Sequence, residues 1–201
     1  TPQGVQRWRA ARAALAPAFE QLRIRLPGTV LLVATDGSDS ADAPYTRGQA
    51  VFLPNAFRVP YTDAELLAHE LFHVLSRSNP ELATRIYALF AFVPAEPLAW
   101  PPAWAAERIS NPDAPHHRHV MWLETGSGRI AVMPVLVARR TALQPGETFF
   151  HVLDIRLLAV TPGTPGHPTQ PVLRDGQPVW QPAHGTAAYL RQLGGNTAYV
   201  M

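Results

Sequence analysis

The sequence predicts an α+β fold. Apolar residues recur at helical spacing over residues 6–25, 62–78 and 81–92, short apolar runs of strand length stand between them, and from His119 onward the texture turns to strands. Residues 1–115 therefore read as a helical portion packed on a small sheet. Residues 116–201 read as an antiparallel β-rich portion with a short C-terminal helix, and the two form one compact unit. A chain of 201 residues suffices for one domain with a sizeable core, or a domain with a subdomain.

Gln6 to Arg25 carries Trp8, Ala11, Leu15, Phe19 and Leu22 near helical spacing. Arg7, Arg9 and Arg12 fall on its solvated side, and Pro17 is expected to kink or split it. Thr29 to Ala34 follows Pro27-Gly28 as a short apolar run and reads as a buried strand. The loop Asp36 to Asp42 holds three aspartates, which raises the question of calcium. It lacks the spacing and closing glutamate of an EF-hand, so a solvated loop is expected. Ala50 to Leu53 is a second strand just ahead of the central helix. Its edge is expected to offer main-chain hydrogen bonds to an extended peptide. Thr62 is placed to cap that helix, with Glu65 completing a capping box, and Asn79-Pro80 ends it.

Glu81 to Phe92 forms a further helix with Leu82, Ile86, Leu89 and Phe90 inward. Residues 93–115 are rich in proline and carry Trp100 and Trp104. Such a length favours a functional loop or a surface layer, with a short helix at Ala103 to Ile109. His119 to Leu123, Ile130 to Ala138 and Phe149 to Val160 read as strands of an antiparallel meander, divided by turns at Gly126-Ser127-Gly128 and Gln144-Pro145-Gly146. A short strand at Val172 to Arg174 and a last helix at His184 to Leu193, stopped by Gly194-Gly195, complete the chain.

Most of the chemistry lies in helix 62–78, which contains His69-Glu70-Leu71-Phe72-His73. Residues four apart on a helix sit one above the other, so His69 and His73 project from one face and can share a cation, with Zn²⁺ the usual occupant. Glu70 lies about 100° round the helix, within reach of a water on that cation. Leu67, Leu71, Val74 and Leu75 form the opposite, core-facing stripe. A carboxylate among Leu66, Leu67, Ala68, Leu71 and Phe72 needs a partner, because an unpaired buried charge is expensive.

In this setting the His-Glu-x-x-His stretch resembles the active-site helix of zincin metallopeptidases, over some fifteen residues. The resemblance implies a zincin-like domain, Zn²⁺ held by His69 and His73, Glu70 as general base, and a peptide or protein substrate. Metzincin-like enzymes continue with glycine and a further histidine or aspartate, where this chain has Ser76 and Asn79, so a gluzincin-like member is the expectation. The third ligand is open among Glu96, Glu107, Asp113, a histidine (116, 117, 119, 151, 167 or 184) and a glutamate beyond Met201. Tyr87, Tyr189 and Tyr199 are candidates to assist at the oxyanion, against the alternative of core tyrosines.

Composition excludes several classes. There is no cysteine, which removes disulfides, thiolate ligands and the cysteine-ligated peptide-deformylase pattern. The 17 basic residues are all arginine, do not cluster, and leave a net charge of +2, too small to argue for nucleic acid. No apolar run approaches membrane-spanning length. A start at Thr1 without methionine is what an exported, processed chain or a trimmed piece would show.

Overall fold

The computed structural model describes residues 2–55, 62–104, 108–109, 113, 117–126, 128–140 and 142–181. These residues fall into two compact units: those within 1–80 together with 146–150, and those within 81–145 together with the described part of 151–201. Each mixes helix and strand, in keeping with the α+β class. The expected last helix at 184–193 lies outside the described residues, as do Glu107, His116, Tyr189 and Tyr199.

The first unit opens with helix α1, Pro2–Gln21, which runs through Pro17 without a break. Its Arg7, Arg9 and Arg12 are exposed as expected. Trp8, Ala11, Leu15 and Phe19 pack on Leu67 and Leu71. A three-stranded sheet follows in the order β1-β3-β2, made of β1 Leu31–Thr35, β2 Tyr45–Arg47 and β3 Ala50–Pro54. β1 runs parallel to β3, and β2 antiparallel to it. Two expectations are corrected here. The apolar run at β1 is an edge strand, with Leu31 58% and Leu32 40% exposed, because a short run of leucine and valine satisfies an edge as readily as a core. β3 is flanked on both sides, so it has no free edge to offer a peptide. In the aspartate loop, Asp36 accepts hydrogen bonds from Ser38 and Asp39 accepts one from the Tyr45 hydroxyl.

Helix α2, Asp63–Ser78, is built as its sequence predicts. The Thr62 hydroxyl accepts the Glu65 amide at 3.2 Å, and the Glu65 carboxylate accepts the Thr62 amide at 2.7 Å. That reciprocal box satisfies two of the donors that every helix start leaves open. The Thr62 amide, together with the Thr62 hydroxyl donating at 2.9 Å, holds the Glu65 carboxyl below its ordinary pKa. Asp63 in the first turn pairs with Arg7 of α1, and the Asn79 amide closes the far end on the Leu75 carbonyl at 3.0 Å. Leu67, Leu71, Val74 and Leu75 are all buried. Leu66 and Val74 pack on Val51 and Leu53 of β3. Thr62→Ala should cost about 1 kcal/mol, read as a lower urea midpoint with an unchanged m-value.

The second unit begins within α3, Pro80–Leu89, whose core-facing residues are Ala83 and Tyr87, with Phe90 packed inward just past its end. Leu89, expected inward, is 81% exposed, because Tyr87 and Phe90 turn the packed face away from it. The strands β4 Phe92–Pro94, β5 His119–Thr125, β6 Gly128–Ala138 and β7 Leu153–Thr161 pair in sequence order. β5 to β7 are the expected meander, whereas β4 falls where the helix was expected to reach Phe92 and the proline-rich segment to begin. The strand predicted from Phe149 starts later, since Phe149–Val152 is one helical turn. Of the short strands β8 Gln170–Pro171, β9 Leu173–Arg174, β10 Gln177–Pro178 and β11 Trp180–Gln181, the sequence had indicated only β9. β8 and β11 both add to β7, and β9 pairs with β10.

Both faces of this sheet are covered. Phe92, Met121, Leu123, Val132 and Leu157 pack with Tyr87 and Phe90, while Val120, Met133, Val135, Val137 and Leu158 pack with Leu98, Trp100 and Trp180. β5 pairs with β6 only as far as Met121↔Val132. Further along the same side of β6, Arg108 bridges Val137 and the Ile109 amide donates to the Leu136 carbonyl at 3.2 Å. Arg108 is thus extended, and of the helix expected at 103–109 the described residues show a 3-10 turn at Pro102–Trp104, while 105–107 lie outside them.

Candidate metal-binding helix

α2 arranges three polar side chains on the first unit. His69 Nε2 and His73 Nε2 lie 3.0 Å apart, with ring centroids at 4.8 Å and the planes near perpendicular. Two imidazole nitrogens bound at about 2.0–2.1 Å around a tetrahedral zinc would stand roughly 3.3 Å apart. The observed pair is therefore close to what one shared cation requires. A Glu70 carboxylate oxygen lies within 4.8 Å of a His73 ring nitrogen. Glu70 and His73 are 2% and 3% exposed, whereas His69 is half-buried and forms the more accessible member. α2 thus carries a possible metal-binding group.

Its electrostatics favour the ligand form. Burial, with the Arg77 guanidinium one turn further along, pushes His73 down to about 4. A ring held neutral at pH 7 offers its lone pair to a metal instead of a proton. The sequence reading did not single out Arg77. Its signal was the i, i+4 step from His73, and its guanidinium is steered by donating to the Gly48 carbonyl at 3.2 Å in the β2–β3 turn.

The remaining sequence candidates belong to the second unit. There Glu96 offers its backbone carbonyl to the Thr169 hydroxyl at 2.6 Å, and Asp113 is half-buried. His117 stacks on Trp100, His119 meets the edge of Tyr87, and His151 and His167 are exposed. Tyr87 is a packing residue of the sheet core, the alternative foreseen for it.

His119 supplies a pH test away from the metal helix. Burial lowers it to about 4, against about 6.5 in the unfolded chain. Between those values the unfolded state binds a proton that the folded state refuses. Stability is therefore complete above pH ~6.5, falls as pH drops towards ~4, and changes no further below that. The loss should be about 2 kcal/mol, after allowance for the partial exposure of the ring. Urea titrations across this window should show that slope, and His119→Gln should flatten it.

No protein-family model, no curated protein and no solved structure matches the chain.

Proposed function

We propose that this chain is a zinc-dependent metallopeptidase of zincin type, gluzincin-like in its ligand pattern. The observation that carries the reading is the convergence of His69 Nε2 and His73 Nε2 to 3.0 Å beside a buried Glu70. His69 and His73 would hold the metal. Zinc, when bound, supplies Lewis acidity, lowering the pKa of a coordinated water and polarising a carbonyl. Glu70 takes the proton from the attacking water and returns it to the leaving amine. Peptide or protein is the substrate class. The third ligand is proposed to be a carboxylate, with Glu96, Glu107 and Asp113 the candidates in the sequence.

A second reading is a zincin-like protein that binds metal or peptide without hydrolysing it. It is favoured by the histidine inventory of the first unit, which has imidazoles only at positions 69 and 73. A metal-dependent amidase acting on a non-protein substrate is a variant of the first reading. Metal content together with metal-edge absorption tests the assignment. About one zinc per chain with two imidazoles and a carboxylate is expected, and no zinc after add-back would end it. Chelator-sensitive cleavage of a generic protein substrate separates the peptidase from both alternatives. The ligand among the three carboxylates is the one whose amide variant loses the carboxylate signal.

A further inference from the structure

The edges of the two main sheets are not alike. β2 is three residues long and ends in Arg47, β4 is three residues long and ends in Pro94, and β11 has two residues. Short length, charge and proline are the devices by which an edge avoids pairing with another chain. β1 has none of them. It is five residues of Leu-Leu-Val-Ala-Thr, and among the described residues its only strand partner is β3.

The hydrogen bonds fix which of its groups face outward. The Leu31 amide donates to the Gln49 carbonyl at 2.9 Å, and the Thr35 carbonyl accepts the Asn55 amide at 3.0 Å. Odd-numbered residues of β1 therefore direct their main-chain groups at β3. Even-numbered residues direct theirs away, because amide and carbonyl of one residue point the same way and successive residues alternate. Leu32 and Ala34 thus present two amides and two carbonyls at an exposed edge.

That pattern is symmetric about Val33. We propose that β1 pairs antiparallel with β1 of a second copy of this chain, on a two-fold axis at Val33. Leu32 faces the partner's Ala34 and Ala34 faces the partner's Leu32, each couple exchanging two main-chain hydrogen bonds. Such a contact is isologous by construction. It joins two three-stranded sheets into one of six strands, meets no like charge, and covers Leu31 and Leu32. The five residues of β1 carry no charge that would oppose itself across that axis.

The test is the mass in solution and a covalent trap. Sedimentation over micromolar concentrations should show twice the 22.0 kDa chain mass. Leu32→Pro removes an outward amide that β3 does not use, and Leu32→Lys sets charges near the axis. Both should give the monomer with unchanged circular dichroism, while Leu173→Ser, an exposed leucine elsewhere, should remain dimeric. Because the chain has no cysteine, Val33→Cys reports the register directly. Facing residues at such a non-hydrogen-bonded position stand about 4.5 Å apart between Cα atoms, within disulfide reach. Mild oxidation should cross-link Val33→Cys and leave Leu22→Cys uncoupled. A monomer at every concentration, or a dimer that survives both Leu32 variants, overturns the proposal.

Discussion

Glu70→Gln should keep its zinc and lose hydrolysis by about 10²–10⁴-fold. Glutamine fills the volume of glutamate but cannot accept the water's proton, so kcat should fall while metal content stays near one per chain. A thermal melt of the metal-free variant separates loss of the base from loss of the fold at this buried position. Elemental analysis, a thermal melt and single-substrate kinetics give the three readouts together. Unchanged turnover would remove Glu70 from the mechanism, and loss of zinc would make it a ligand instead of a base.

The second large effect is expected at His69. His69→Ala removes one of two imidazoles that meet at 3.0 Å, from the half-buried side of the helix. Zinc affinity should fall by at least about 100-fold, measured by competition with a chromogenic chelator, with a modest fall in the melt of the metal-free protein, in which His69 is also a hydrogen-bond partner of the buried His73. His73→Ala should lose zinc to the same extent and also destabilise the metal-free chain, because His73 is 3% exposed and its removal leaves a cavity. Equal zinc stoichiometry in His69→Ala and the parent would refute the shared-cation reading.

How much could be read from the residues alone differed between elements for physical reasons. α2 was legible from end to end. Its cap, its box, its buried stripe and its paired histidines are local features, fixed by spacings of three and four residues. The meander was legible too, since hairpin strands neighbour one another in sequence. The burial of β1 was not, because an apolar run carries no mark of whether a further strand lies beside it. Nor was the inner face of α3, where Leu89 suits the helical period and is nonetheless exposed. The third ligand of the proposed metal set is the extreme case: two imidazoles four residues apart announce themselves, but a single distant carboxylate would have no local pattern to betray it.

One proline in β6 has a consequence for how a loop finds its place. The Leu136 carbonyl is used on the side of β6 along which β5 runs, so the nitrogen of Pro134, two residues earlier, faces that same side. It carries no hydrogen. In register it stands opposite His119, where the β5 ladder has already ended at Met121↔Val132. Two segments are therefore rivals for one length of β6: the chain leading into β5, which could have zipped onward, and Arg108–Ile109, which occupies the side. By withholding a single donor, Pro134 handicaps the first contender and leaves the berth to the second.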